Sequence, residues 1–325
     1  MIWATWRMHR SIFLSSIAVA IAFAIWLAIT GEMDAHAWAI FTSHHCSVMS
    51  PGSSAICLSS YHSVGDFSTV NAALCGALPP LLGLVLGVPI VAGEIQLRTN
   101  RLAWTQSITR TRWVLIKLGV GAAFTAGIVG AMAPLFWWWT DAVQRNSHIM
   151  PADFDISGFA PVAYALFAFM LGAALGAFIH RSGWAFAAAV PIFALVRTGI
   201  RLYIRPDLIP PTTVTTNAYA PIYNYNAWYL HAGSVPLGRM SPAPGQTWSS
   251  NDQLIESCQG PVTGGEKAAL HSANYCEKLH HLHYVLQFQP PSHFWALQTA
   301  ESAIFLAAAG ALLVLTVLAV RRWRT

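Results

Sequence analysis

Residues 93–117 read GEIQLRTNRLAWTQSITRTRWVLIK and lie between two strongly apolar runs. Arg98, Arg101, Arg110, Arg112 and Lys117 stand there against a single acid, Glu94. Elsewhere charge is scarce: 10% of the 325 residues are charged and 55% are hydrophobic. A water-soluble domain usually carries roughly 25% charged residues. A basic loop between apolar runs is an orientation signal and is held on the cytoplasmic face. The stretch therefore predicts a polytopic membrane protein with this loop inside the cell.

Working outward, six segments are long and apolar enough to cross a bilayer, which takes roughly 20 helical residues. They are 12–30, 72–92, 114–136, 159–179, 183–203 and 297–320. Open strands cannot cross hydrocarbon, so all six are expected as helices. The predicted class is all-α: six transmembrane helices, with a large extracytoplasmic segment between the fifth and sixth. The division is a membrane domain, 1–201, holding the cytoplasmic loop 93–113; an outer segment, 202–296; and the sixth span with a basic tail, 297–325.

The remaining charges agree on orientation. Arg7 and Arg10 precede the first span, Arg181 separates the fourth and fifth, and Arg321, Arg322 and Arg324 follow the last. Residues 31–70 hold Glu32, Asp34 and Asp66 and no Lys or Arg. Every basic cluster falls on one side if both termini are cytoplasmic. Ala35-His36-Ala37 resembles a signal-peptide cleavage site, but the apolar run before it exceeds the usual ~7–15 residues, so it is expected to be retained. The formal charge of +5 is not a nucleic-acid signature, because no basic face with interleaved aromatics occurs.

Within the spans, several residues carry specific expectations. Trp3 and Trp6 beside Arg7 and Arg10 form an interfacial pattern, and Trp137-Trp138-Trp139 reads as a belt at the outer interface. Pro79, Pro80 and Pro89 break the second span and suit a helix that hinges or lines a pathway. Gly172 and Gly176, four apart, admit a close neighbour helix. Arg197 and Arg201 are one turn apart in the fifth span, and Glu301 enters the sixth from the same side. An unpaired charge at that depth is costly, so Glu301 is expected to pair with Arg197 or Arg201.

The outer loops face an oxidising space, so Cys46 with Cys57 and Cys258 with Cys276 are expected as disulfides. Cys75 is expected as a small apolar packer. The outer segment is Pro-rich to about residue 250 and reads as loops with short strands, whereas 265–284 is compatible with a helix.

Catalytic signatures are missing from the sequence. Gly264-Gly265-Glu266-Lys267 lacks the spacing and hydroxyl of a phosphate-binding loop, and neither G-x-S-x-G nor H-E-x-x-H occurs. His44-His45 and His280-His281-Leu282-His283 have no specific ligand spacing, so no metal site is assigned.

The opening stretch resembles the run that follows the second span in permease subunits of type-2 ATP-binding-cassette (ABC) exporters, actinobacterial ones above all. The matching residues are Glu94, Thr99, Arg101-Leu102-Ala103-Trp104-Thr105-Gln106-Ser107, Arg110, Arg112-Trp113 and Lys117. Phe294-Trp295, Gln298 and Glu301, entering the last span after a Pro-rich turn, are similar to that family too. Arg98 stands where the family often has Gly, and His293 where Arg is common.

The resemblance implies two permease chains, as a homodimer or heterodimer, working with cytoplasmic ABC ATPase subunits in a bacterial cell membrane. This chain would carry no cofactor, with ATP and Mg held by the partner ATPase. Residues 95–107 would form a coupling helix docked on that ATPase. Leu97, Arg101, Trp104 and Ile108 fall at three- and four-residue spacings on one helical face, with Trp104 as the anchor. Two alternatives compete: an ATPase-coupled signalling or mechanotransmitting protein acting through its outer segment, and a membrane enzyme using the outer histidines.

Overall fold

The computed structural model describes residues 2–44, 55–96, 109–144, 148–216, 227–236, 238–241 and 281–322. Six long helices dominate. They are α1 (Ile2–Ser43), α2 (Ala55–Gln96), α3 (Arg110–Gln144), α5 (Ala160–Ile179), α6 (Ser182–Gly199) and α7 (Phe294–Arg322), with a single-turn helix α4 (Pro151–Phe154) before α5. All six long helices satisfy the length and apolarity of a membrane span. At 42 residues each, α1 and α2 would run about 63 Å, roughly twice a ~30 Å hydrocarbon core. Both continue as helix well beyond the apolar windows read from the sequence.

Helix α5 is the centre. It is apolar around its whole circumference, as a helix enclosed on all sides must be. Helix α2 packs along it, and α3, α6 and α7 complete the ring, while α1 lies against α2 and α3. Gly172 and Gly176 do seat a neighbour helix, and the neighbour is α2, which brings its own glycines. A Cβ on Gly87 would lie 2.1 Å from the Phe169 carbonyl oxygen, and one on Gly83 2.2 Å from that of Ala165. Such approach of backbone to backbone is what small residues permit between membrane helices.

The ends of the elements follow local chemistry. Thr109 caps α3: its Oγ1 accepts from the Arg112 backbone N–H at 3.4 Å. His180 adopts φ 59°, the left-handed turn that closes α5. Helix α6 passes into a π-helical turn (Ile200–Ile204) and a 3-10 turn (Arg205–Asp207), so helical backbone persists four residues beyond the predicted end of the fifth span.

After α6 the chain forms an antiparallel three-stranded sheet in the order β1-β3-β2, with β1 (Thr212–Thr216), β2 (Trp228–Pro236) and β3 (Leu282–Gln289). The short strands expected in this segment are present. Of the stretch expected to be compatible with a helix, 265–284, Leu282–Tyr284 belong instead to β3, and 265–280 lie outside the described residues. Strand pairing decides it: Val285 is buried and pairs with Thr215 on one side and Gly233 on the other, and a central strand's pairing outweighs a weak helical periodicity.

The tryptophan belt is also corrected. Trp138 is exposed, but Trp139 is fully buried and donates to Asp34 at 3.3 Å, and Trp137 stacks on His148. Three successive helical residues point about 100° apart, so of this run only Trp138 faces outward from the bundle.

Candidate functional sites at the two ends of the bundle

At one end, the chain leaves α2 at Gln96 and returns at Thr109, and the two feet of that loop are joined. Lys117, two turns into α3, forms a buried ion pair with Glu94 near the end of α2. His9 of α1 lies 3.2 Å from the same carboxylate through Nε2. All three side chains are buried, and the Lys117 ammonium also sits 5.0 Å over the Trp113 ring. Ser182 Oγ, at the start of α6, donates to Gln96 Oε1 at 3.1 Å. Four helices therefore converge on the base of the loop. Of the residues singled out there, Glu94 is in this clamp, Arg110 is half-buried and Arg112 exposed. Thr99, Arg101, Trp104 and Gln106 lie outside the described residues.

At the opposite end, five charged groups meet. Arg205 is fully buried and grips Glu301 with two nitrogens, Nε to Oε2 at 2.6 Å and Nη2 to Oε1 at 2.8 Å. The same guanidinium contacts Asp155, and its plane lies 4.5 Å from the Phe154 ring. The Tyr164 hydroxyl donates to Glu301 Oε1 at 2.7 Å. Arg197 and Arg201 each reach Asp155 Oδ2 at 3.4 Å. Glu301 thus pairs with Arg205 rather than with Arg197 or Arg201. The sequence reading ended the fifth span before Arg205. The π turn carries it into the bundle, where its fork fits the carboxylate side-on.

Arg197 has a further task. Pro80 has no N–H to offer the carbonyl four residues back, that of Gly76. Arg197 Nη1 donates to that oxygen at 2.8 Å, so the break in α2 is satisfied by a cation from α6. Its guanidinium also lies 4.7 Å over the Tyr164 ring.

Gln298 fastens the same end. Its Oε1 accepts from the Ala160 N–H at 3.0 Å, an open donor of the first turn of α5. Its Nε2 donates to the Phe154 and Ser157 carbonyls at 2.9 and 3.2 Å. Gln289 of β3 donates to the Pro206 and Ile209 carbonyls, which binds the sheet to the end of α6.

Between α2 and α6 lies a cavity of about 520 Å³, closed at one end by Asp155, Arg197 and Arg201 and lined elsewhere mainly by small apolar side chains. Of the proline cluster, Pro80 is in its wall, and Pro79 and Pro89 are not among the lining residues.

Asp155, Tyr164 and Arg205 were missed from the sequence. One signal was available: Arg197, Arg201 and Arg205 recur every four residues, and three cations on one stripe need more than one acid. Of the four cysteines expected in disulfides, Cys57 is buried and disulfide-bonded. Cys46, Cys258 and Cys276 lie outside the described residues, as do His45 and His280. Cys75 is buried and free.

A family model described as ABC-2 membrane transporter related matches residues 17–205, from the first span to the turn that follows α6. A search of curated proteins finds no match.

Proposed function

The chain belongs to the ABC-2 membrane transporter related family, and on that premise we propose that it is the permease subunit of an ABC exporter, driven by a separate ATPase. The match covers more than half of the chain and includes the whole 93–117 stretch. Six apolar helices support a multi-pass membrane protein of this kind.

The observation that carries the coupling proposal is the clamp at the loop base. A lever must not give way at its fulcrum. A buried Glu94–Lys117 pair, with His9 and Ser182 tying in α1 and α6, joins the loop to four spans at once. ATP and Mg would be held by the ATPase. Closure of the ATPase pair would push residues 97–108, and the clamp would pass that displacement to the spans. The loop would then be cytoplasmic, with both termini on the same side in a bacterial cell membrane, and the 202–296 segment would face outward with its cysteines paired. Two permease chains, identical or different, would form the conduit, moving cargo outward.

Replacing Trp104 with alanine tests this. Transport should fall at least tenfold while the six-helix bundle keeps its thermal stability, because partner anchors often account for 2 kcal/mol or more, roughly 30-fold. Parent-level transport by the Trp104→Ala variant would remove the lever assignment.

A further inference from the structure

We propose that the cavity between α2 and α6 binds an amphipathic anion, with its alkyl part along the helices and its phosphate, sulfate or carboxylate group at Arg197 and Arg201. The first argument is charge. Three guanidiniums, from Arg197, Arg201 and Arg205, contact two carboxylates, those of Asp155 and Glu301. Among the described residues, these contacts leave one positive charge of the connected group uncompensated.

The geometry says where that charge lies. Arg205 is engaged with both Glu301 oxygens and with Asp155 Oδ1, and it is fully buried. Arg197 divides its donors between the Gly76 carbonyl and Asp155. Among the described residues, Arg201 has one ion-pair contact, at 3.4 Å to an Asp155 oxygen that Arg197 already shares, and its side chain is 41% exposed. The excess charge therefore sits at the cavity end through Arg201. Inside an apolar span, an uncompensated cation is costly and an anion is the natural partner. Guanidinium forks suit phosphate and carboxylate.

The second argument is shape. The walls away from the arginines are apolar: Ala73, Ala77 and Leu81 on α2, and Val190, Phe193 and Ala194 on α6. A volume of about 520 Å³ falls within the range of small-molecule sites, roughly 300–1,000 Å³. Ala73, Ala77 and Ala194 are exposed, so the cavity opens to the flank of the bundle. Neither an inorganic anion nor a neutral hydrocarbon uses both halves. An amphipathic anion does.

This inference names a ligand class for the permease proposed above and rests on that reading only for how the ligand is used. Binding is measured with no ATPase present, so failure here leaves the permease proposal standing, and the reverse also holds.

The test uses the full chain in phosphatidylcholine nanodiscs, with dodecyl phosphate, dodecanol and inorganic phosphate as probes and the unfolding temperature as readout. Dodecyl phosphate should raise it saturably, and dodecanol and inorganic phosphate should not at matched concentration. Arg201→Gln should weaken the dodecyl phosphate effect by about tenfold or more, the worth of one charge-assisted hydrogen bond. Ala194→Trp, which fills the apolar wall from an exposed position, should weaken it similarly and decides the matter if Arg201→Gln fails to fold. A second arm replaces part of the lipid with phosphatidylglycerol. Loss of the dodecyl phosphate response there assigns the site to a bilayer lipid, and an unchanged response assigns it to a free amphiphile. No response to dodecyl phosphate, equal stabilisation by dodecanol, or parent-like binding by both variants would overturn the proposal.

Discussion

At the scale of single residues, the bundle rests on a few buried polar groups, and their burial ranks them. Arg205 is enclosed and serves both acids, so Arg205→Ala leaves Glu301 and Asp155 without their shared cation. Breaking such a buried pair costs about 3–5 kcal/mol, so this variant should lose most of its thermal stability. Arg201, partly exposed and making one long contact, should matter little: Arg201→Gln is expected to cost about 0–1 kcal/mol. Equal losses in thermal unfolding would show that the charge group is not organised around Arg205. His148, between α3 and α4, gives a pH handle. It stacks on Trp137 at 4.2 Å, and its Nδ1 lies 3.3 Å from Ser157 Oγ. Burial lowers its pKa, and Asp141, 3.8 Å away, only partly offsets this. A group that the fold keeps neutral stabilises above the ordinary histidine pKa of about 6.5, and that contribution is lost as pH falls toward the depressed value. Acidification from about pH 7.5 to about pH 5 should lower the parent's unfolding temperature more than that of His148→Gln. An identical drop in both would refute the assignment. None of these partners could be chosen from sequence alone. Arg205 and Glu301 are 96 positions apart, and which of three arginines on one stripe meets the acid depends on a π turn that hydropathy does not register.

The elements tell a different story. All six spans were legible, because apolar length is a local property. Their ends were not, since α1 and α2 extend as helix far beyond their apolar windows. The glycine spacing in α5 also correctly announced a close neighbour, but the partner glycines on α2 could be matched only once the helices were seen together. Gly87→Ala tests that contact. The new methyl would meet backbone 2.1 Å away, which no side-chain rotation can relieve, so α2 and α5 must separate. Such overpacking typically costs about 1–3 kcal/mol, to be read as a lowered unfolding temperature. An alanine at Gly119, which has nothing within 4 Å, should cost nothing measurable and serves as the control. The sheet was half legible. Strand-like segments were expected after the fifth span, but the β3 register depends on pairing with strands on both sides.

For the whole molecule, the two ends of one bundle are built differently. One end gathers α1, α2, α3 and α6 beneath a basic loop. The other locks α4, α5, α6 and α7 through Arg205 and Gln298, with a cavity beside the lock. Family membership places the chain among ABC-2-related membrane transporters, and the loop motif that led there was readable from the start, since it lies in one continuous stretch. The central claim is that a separate ATPase drives these spans through residues 97–108. The most direct measurement is affinity purification of the full chain from its native membrane, with bound subunits and ATP hydrolysis quantified for the parent and for a chain whose residues 97–108 are replaced by a Gly-Ser linker. The account predicts a stoichiometric ATP-hydrolysing subunit with the parent and its loss from the linker variant, with the bundle still folded. An ATPase retained equally by the linker variant, or ATP hydrolysis by the purified chain alone, would contradict it.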